Sequence, residues 1–380
     1  MKLIVEPTDG VAPILAAIKR ARKSVEIAIF RFDHNDIEAA LVAAAERGVR
    51  VTALIAFVNR GGERSLRSLE SRLLAAGVIV ARTNDDLVRY HGKYILIDRC
   101  LLHVLSFNFT RLDINKSRGF GVVTSRPDCL KEAVRLFKAD CTRTKYVARS
   151  DALVISPANS RHVLSTFLKR AKKQILIYDP KISDKAMLRI LEERAKAGVE
   201  IRVIGQASRR TGFEVRKLAG LRLHTRTFIR DGRQAFVGSQ SLRAAELDSR
   251  REVGLVVHDS GSVRTLAATF ESDWKATRDK RVAKTADVVD DRDSAPDQAP
   301  AQVSAKDVAK AVKVFTQELK PLATKVKKAV RQAVVKAGDD VLNDEDVKDT
   351  MKKVVKQAVK EAVKTAVHEA QMAVAAEAAE

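Results

Sequence analysis

Two histidines, each followed two residues later by a cation and seven residues later by an aspartate, are the residues of this sequence best suited to chemistry. The two sets are His91, Lys93 and Asp98, and His224, Arg226 and Asp231. Neutral imidazole can attack phosphorus, protonated imidazole can donate to a leaving oxygen, and cations can stabilise charge on phosphate oxygens. Residues of these types could therefore carry out nucleophilic and acid–base chemistry at a phosphate group without a metal.

The elements around each histidine should bring further polar groups to the same place. Alternate residues of a strand share a face, so His91 and Lys93 project together. A tight turn at Asp98 would return the chain as a paired strand and place downstream residues beside the histidine. The residues expected to bind or orient the phosphate in this way are Ser106, Asn108, Ser239 and Ser241. The guanidinium of Arg226 can hold two phosphate oxygens at once.

The two sets are copies of one another. Their histidines, their aspartates and their first serines are each separated by 133 residues, as are Gly121 and Gly254. The alignment runs without a gap from the histidines to these glycines. A constant offset over such a length indicates an internal duplication.

The motifs resemble those of the phospholipase D superfamily, whose signature is two His-x-Lys-x4-Asp motifs, each followed by Gly-Ser-x-Asn. The resemblance covers roughly residues 1–277. It implies that both histidines form one active site, that one becomes a covalent phosphohistidine, and that the other acts as acid and then as base. It implies no cofactor. Following the order usual in two-repeat relatives, we expect His91 to be the nucleophile and His224 the general acid.

The sequence departs from the family pattern in four places: Arg226 replaces lysine, Ser241 replaces the second asparagine, Leu105 precedes Ser106 instead of glycine, and Gly119 occupies the position equivalent to Glu252. Relatives often place at the Glu252 position a carboxylate that orients a histidine. We expect Glu252 to orient His224, which would leave His91 without such a partner. Asp98 and Asp231 are counted with the catalytic motif, although we expect them to stabilise the turns.

Each repeat should be an α/β unit. Helices are predicted at 11–23 and 160–172, and buried strands at 24–30, 49–55, 174–178 and 199–204. Gly48 and Gly198 follow alanine-rich helices as C-caps. The alternation predicts two tandem repeats, residues 1–148 and 149–277, each a mixed sheet flanked by helices, that together form one pseudo-twofold catalytic unit.

The C-terminal part has a different composition. Residues 278–303 are predicted to be a flexible linker, and residues 304–380 an amphipathic helical tail rich in alanine, valine and lysine. Self-association, nucleic-acid binding, contact with a membrane surface and weak packing on the catalytic body all fit this tail. We favour self-association because the apolar face is small and lacks large aromatic residues.

The net charge of the chain indicates which kinds of partner it can bind. Its 380 residues include 70 Lys and Arg against 48 Asp and Glu, a formal net charge of +22. Such a surface attracts phosphate, nucleic acid or acidic lipid headgroups, although a lysine-rich solvated surface has the same composition. The three cysteines form no metal-binding pattern, and no apolar stretch is long enough to span a membrane. We therefore expect a cytoplasmic protein whose contact with membranes is peripheral.

Three functions are compatible with these features. The first is a phospholipase D-type phosphodiesterase or phosphatidyltransferase acting on a phospholipid headgroup. The second is an endonuclease of the same superfamily, favoured by the positive charge but not by an aromatic content of only 5%. The third is a non-catalytic protein that binds a phosphate-rich polymer or self-associates through its tail.

Overall fold

The computed structural model describes residues 1–57 and 63–277. The predicted linker and helical tail lie outside the described residues. The strands of the first repeat are β1 (Lys2–Glu6), β2 (Ser24–Ile29), β3 (Arg50–Ile55), β4 (Ile79–Arg82), β5 (Arg89–Tyr90), β6 (Tyr94–Ile97), β7 (Leu101–Leu105) and β8 (Ser117–Thr124). Its helices are α1 (Ala12–Arg20), α2 (Asn35–Glu46), α3 (Glu63–Ala75), α4 (Arg111–Lys116) and α5 (Pro127–Cys141).

The second repeat follows the same order. Its strands are β9 (Val154–Ile155), β10 (Gln174–Ile182), β11 (Glu200–Ala207), β12 (Glu214–Arg216), β13 (Arg222–Leu223), β14 (Arg226–Arg230), β15 (Gln234–Gly238), β16 (Arg250–Arg251) and β17 (Val253–Val257). Its helices are α6 (Ser160–Lys169), α7 (Lys185–Lys196), α8 (Ala244–Asp248) and α9 (Ser260–Ala276). The predicted α/β class is confirmed, and the connection between the repeats runs from residue 142 to 153.

Each repeat forms one mixed sheet, and the two sheets have the same strand order. In the first the order is β1-β8-β7-β6-β2-β3-β4, and in the second it is β12-β11-β10-β14-β15-β17-β9, which is the same arrangement read from the other edge. The registers agree as well, since Ala28 pairs with Tyr94 and Tyr178 with Thr227. The duplication read from the sequence is therefore a duplication of the fold.

Short sequence features explain the positions of the helices and strands that occur in both repeats. Gly48 and Gly198 follow α2 and α7 with φ of 82° and 83°, a left-handed conformation that glycine adopts without steric cost. The glycines end the helices as predicted, but each lies one residue after the C-cap, which is Arg47 in α2 and Ala197 in α7. The predicted buried strands are present with ends shifted by a few residues, as β2, β3, β10 and β11.

The two repeats share a core. One apolar cluster joins buried residues of both sheets, among them Leu96 and Phe120 of the first and Tyr178 and Leu255 of the second, with α5 and α9 packed against it. Separate clusters lie under α1, α2 and α3 in the first repeat and under α6 and α7 in the second. Because the central cluster contains residues of both sheets, it fixes the position of one sheet relative to the other.

Residues 1–57 and 63–277 contain no helix that is long and apolar enough to cross a bilayer. The same residues include no group of three or more His, Cys, Asp or Glu side chains arranged to hold a metal ion.

Candidate active site

The aspartate of each motif fastens a hairpin turn. The Asp98 carboxylate accepts the backbone N–H groups of residues 22, 23 and 24 at 2.6–3.1 Å, and Asp231 does the same for residues 172, 173 and 174. Burial opposes ionisation of Asp98, but these N–H donors outweigh it and lower the pKa of the carboxyl. Both aspartates therefore make the contacts of turn-stabilising residues, next to the strands that carry the histidines.

The segments that carry the histidines pair with the opposite repeat. β5 runs parallel to β16, and the His91 N–H donates to the carbonyl of Arg251 at 2.7 Å. In the symmetric position β13 runs parallel to β8, and the His224 N–H donates to the carbonyl of Arg118 at 3.3 Å. The backbone N–H of each histidine is therefore hydrogen-bonded to a strand of the other repeat.

Glu252 is beside His91 as a result of this exchange. Its Oε2 atom is 2.8 Å from Nδ1 of His91, and both side chains are fully buried. The expectation that Glu252 orients His224 and leaves His91 without a partner was wrong. The reason is that β16 crosses to the first repeat, so the carboxylate serves the histidine of the other half.

Besides Glu252, two other side chains contact the imidazole of His91. Lys93 places Nζ 2.7 Å from Nε2 of His91, and the Phe30 ring meets the imidazole edge-on with centroids 4.5 Å apart. An ammonium group can only donate, so Nε2 must accept and the imidazole proton must lie on Nδ1. That proton is then donated to Glu252. The surroundings favour a neutral imidazole with its lone pair on Nε2.

Glu252 is in an unusual electrostatic environment. Burial raises the pKa of its carboxyl to about 8; nearby Glu246 adds to the rise, and Lys93 and Arg250 oppose it. The carboxylate that accepts the Nδ1 proton of His91 therefore becomes more populated as the pH rises through this value.

His224 has different partners. Its Nδ1 lies 3.0 Å from the backbone carbonyl of Ser106, so this nitrogen carries a proton. Its Nε2 lies 3.5 Å from both Oδ2 of Asp113 and Nδ2 of Asn108. Oxygen acceptors face both ring nitrogens, and one of them is a carboxylate. These surroundings favour the doubly protonated imidazolium.

Asp113 is a site residue that sequence reasoning missed. It is almost completely buried, and its Oδ2 accepts the backbone N–H of Asn108 at 2.8 Å and the side-chain amide at 2.7 Å. Arg222 donates to its other oxygen at 2.6 Å. A signal was present, because Glu246 lies 133 residues later and accepts the N–H of Ser241 in the same way, at 2.7 Å.

The remaining predicted residues are also buried at this place, but several are engaged by the protein. The Ser106 hydroxyl accepts the N–H of Phe120 at 2.9 Å, and the Ser239 hydroxyl accepts the N–H of Val253 at 3.1 Å. Ser241 donates to the buried carboxylate of Asp179, which ties this hydroxyl to the end of β10. These contacts fix the loops that follow β7 and β15.

Arg226 is oriented by its own repeat. Its Nη1 donates to the carbonyl of His224 at 2.7 Å, and its Nε lies 4.0 Å from Glu246. The guanidinium is fully buried, and Nε makes no hydrogen bond to any described residue. A buried cation held in this way beside a histidine is suited to binding a phosphate oxygen.

The fold and the paired histidines define a two-repeat α/β protein of a class that contains phosphoryl-transfer enzymes. Residues 14–141 and 164–274 match the family described as cardiolipin synthase, PLD-like domain. The chain therefore belongs to the phospholipase D superfamily and carries two of its repeats, as the motifs predicted.

Two curated relatives of this chain are named for different activities. A polyphosphate kinase of Pseudomonas syringae pv. tomato is 25% identical over 304 residues, which are 71% of this chain and 41% of the relative. A mitochondrial cardiolipin hydrolase of Canis lupus familiaris is 27% identical over 135 residues, 36% of this chain and 50% of the relative. The chain thus spans half or less of the length of these curated relatives.

A solved structure shows the same fold across both repeats. The polyphosphate kinase of Porphyromonas gingivalis superposes with a TM-score of 0.61 at 20% identity, covering 72% of this chain and 50% of that one.

Proposed function

We propose that this chain cleaves a phosphodiester through a phosphohistidine on His91, with His224 as general acid and then general base. The observation that carries the proposal is the opposite hydrogen bonding of the two imidazoles. His91 has a cation at Nε2 and a carboxylate at Nδ1, whereas His224 has a carbonyl oxygen at Nδ1 and, at Nε2, a carboxylate oxygen with the Asn108 amide at the same distance. One environment favours a nucleophile and the other a proton donor.

The first step forms the Nε2–P bond at His91 and breaks the bond from phosphorus to the leaving oxygen, which takes the proton from His224. In the second step a water or alcohol oxygen attacks phosphorus, the P–N bond breaks, and the proton of the attacking group passes to His224. Lys93 contacts Nε2 of His91 before substrate binds. It transfers its hydrogen bond to a phosphate oxygen when the nucleophile attacks.

Charge stabilisation comes from both repeats. Lys93 and Arg226 bind the non-bridging oxygens, and the loops carrying Ser106, Asn108 and Ser239 close around them. Ser241 supports its loop through Asp179. Asp98 and Asp231 act by holding the hairpins. No step in this scheme requires a metal ion, because fixed cations supply the positive charge.

A phospholipid headgroup is our first substrate, supported by the family description and by the cardiolipin hydrolase relative. Hydrolysis and transfer to an alcohol use the same intermediate, and a nucleic-acid phosphodiester is the alternative ester. Inorganic polyphosphate is a second candidate from another class. It is favoured by the polyphosphate kinase relative, whose match covers 71% of this chain whereas the cardiolipin hydrolase match covers 36%.

The test offers the full chain, in the presence of a chelator, vesicles of phosphatidylcholine, phosphatidylglycerol or cardiolipin, plasmid DNA, long-chain polyphosphate, and bis-p-nitrophenyl phosphate. We expect turnover of at least one phosphorus compound, and a drop on the order of 10⁴-fold or more in His91→Ala, as nucleophile removal usually gives. His224→Ala should release about one equivalent of p-nitrophenol per site and then stall. Its protein-bound phosphate should be acid-labile and alkali-stable.

Two results would reject the mechanism. One is turnover that appears only when a divalent metal is added, and the other is turnover that survives the loss of His91. Binding of phosphate polymers without any turnover, unchanged in His91→Ala, would instead support the non-catalytic function.

The domain limits 1–148 and 149–277, the linker at 278–303 and the helical tail at 304–380 remain predictions. So do self-association through the tail, peripheral contact with anionic membrane or nucleic acid, and a cytoplasmic location. Sedimentation of the full chain against a chain ending at residue 277 would test self-association.

A further inference from the structure

His224 lacks the carboxylate that its symmetry-related histidine has on Nδ1. The position equivalent to Glu252 is Gly119, and a Cβ atom there would lie 2.9 Å from the ring of Phe107. Contacts under 3.0 Å force a neighbour to move, so a side chain does not fit beside this buried ring. The Ser106 carbonyl takes the place of the missing carboxylate. A neutral carbonyl stabilises an imidazolium less than an anion does.

We propose that Asp113 supplies the missing negative charge from the other side of the ring and is the positioning residue that keeps His224 protonated. The inference rests on the proposed role of His224 as general acid. Oδ2 of Asp113 lies 3.5 Å from Nε2 of His224, and both side chains are 2–3% exposed. An opposite charge at this distance in a buried place favours the charged form of the imidazole.

The position of Asp113 is fixed by the chain around it. It lies in the first turn of α4, whose N-cap Thr110 accepts the N–H of Asp113 at 3.2 Å. Oδ2 accepts two N–H groups of Asn108, and Oδ1 accepts one from Arg222. The carboxylate therefore cannot turn away from His224 without breaking several hydrogen bonds.

The hydrogen bonds to Asp113 also fix the orientation of the Asn108 side-chain amide. Its amide nitrogen must point to Asp113, because an amide oxygen 2.7 Å from a carboxylate would be repelled. An N–H of Asn108 is thus donated to Asp113, and the 3.5 Å approach of the same nitrogen to His224 is a weaker contact. The carboxylate is then the stronger influence on Nε2 of His224.

Two described cations also face His224, and neither removes this effect. Arg222 is bound to Asp113 itself, with Nη1 2.6 Å from Oδ1, so its guanidinium is directed to the carboxylate. Arg226 donates to the backbone carbonyl of His224, and its Nε lies 4.0 Å from Glu246, a carboxylate of the same repeat.

Glu246 is the natural comparison. It repeats the support that Asp113 gives to the backbone, since it accepts the N–H of Ser241. Its other contacts are to the guanidinium groups of Arg226, Arg243 and Arg250 at 3.3–4.0 Å. The two carboxylates thus share a structural role, and Asp113 adds a contact with an imidazole.

The test compares two substrates with the same phosphatidyl group, phosphatidyl-p-nitrophenol and phosphatidylcholine. Nitrophenolate leaves without a proton, whereas choline needs a general acid. Asp113→Asn should lower kcat for phosphatidylcholine by about 10- to 100-fold, part of the usual contribution of a general acid, and for the nitrophenyl ester by less than about 3-fold. Glu246→Gln, the matched control, should slow both esters equally.

An equal loss on both esters in Asp113→Asn would overturn the inference, because a purely structural residue gives that result. If the wild-type chain turns over neither ester, the proposed lipid function fails first and separately. Asp113→Ser offers a smaller uncharged side chain that can still accept the N–H of Asn108, in case the asparagine variant does not fold. Its expected ratio is the same.

A second measurement does not depend on turnover. Nitrogen-15 NMR of histidine-labelled protein at pH 7 should show His224, assigned by its loss in His224→Gln, with protons on both ring nitrogens. In Asp113→Asn the signal should move to that of a neutral ring with a proton on Nδ1. A neutral His224 in the wild-type chain would contradict the inference whatever the substrate.

Discussion

The two half-sites descend from one sequence, yet they surround their histidines with different groups. His91 contacts Glu252 through Nδ1 and Lys93 through Nε2, whereas His224 contacts the Ser106 carbonyl through Nδ1 and Asp113 through Nε2. The strand pairing that presents each histidine is the same in both. The difference therefore comes from side chains, and it favours different protonation states for two rings in equivalent backbone positions.

Few positions produce this asymmetry. Gly119 stands where the other repeat has Glu252, and Phe107 fills the space where the other repeat has Gln240. A duplicated site can thus divide the work of one reaction by changing the partners of each histidine while keeping the fold.

The largest effect is expected at Glu252. Glu252→Gln keeps the shape but removes the negative charge beside the Nδ1 proton of His91, and kcat should fall by about 10²- to 10⁴-fold, as losses of a histidine-orienting carboxylate do. The wild-type rate should rise as the pH increases through about 8, because burial raises the pKa of Glu252 to that value. The rate of the variant should not follow this rise. Initial rates from pH 5 to 10 provide the measurement.

The free energy of unfolding should fall as the pH rises through about 8, whereas the rate should increase. The raised pKa means that the folded state holds the Glu252 proton more tightly than the unfolded chain, so this stabilisation is present at low pH and is lost as the pH rises through about 8. Thermal unfolding of Glu252→Gln should therefore depend less on pH than that of the wild type. Glu6 is a matched control: burial also raises its pKa to about 8, and its carboxylate accepts the N–H of Gly10. Glu6→Gln should flatten the stability profile and leave the pH dependence of the rate intact.

A smaller effect is expected when the two halves are made more alike at Gly119. Gly119→Ala places a methyl group 2.9–3.3 Å from Phe107, which is fully buried, and should destabilise the fold by about 1–3 kcal/mol, as overpacking usually does. Adding Phe107→Leu should recover part of the loss by making room. Urea unfolding of the two variants checks the prediction, and equal destabilisation in both would show that Phe107 is not the obstacle.

Sequence reasoning succeeded where the information is local. The motif spacing, the strand and helix periods and the glycine caps each depend on neighbours within one element, and the duplication is visible as a constant offset. The partner of Glu252 was misassigned because the contact joins residues 161 positions apart through the pairing of β5 with β16. Two-residue strands of this kind have no periodicity to detect.

Asp113 and Phe30 were missed for another reason. A single acidic residue in a short helix resembles any solvated position, and a phenylalanine at the end of a strand resembles core. Only the structure shows that the first contacts Asn108 and His224 and that the second lies against His91. Comparing the repeats for acidic residues at the common offset would have identified Asp113 and Glu246 together.

The smallest effect concerns the hairpin turns, where only one repeat has a glycine at the second turn position. The second turn position is Arg99 in one repeat and Gly232 in the other, at φ of 52° and 63°. A side chain in this left-handed region costs about 1 kcal/mol relative to glycine. Arg99 also forms an ion pair with Glu26, with Nη2 2.6 Å from Oε1. Replacing Arg99 with glycine therefore removes this ion pair as well as relieving the backbone, and the two effects must be measured separately.

The comparison of Arg99→Gly with Arg99→Ala isolates the backbone contribution, because neither variant retains the ion pair. Gly232→Ala makes the corresponding change in the second repeat, where a Cβ atom would meet nothing within 4 Å. We expect the glycine form to be more stable by about 1 kcal/mol in both repeats, with kcat within about 2-fold of each other. Because the two turns share the left-handed geometry at this position, unequal values from urea unfolding would show that the hairpins carry different strain despite their common origin.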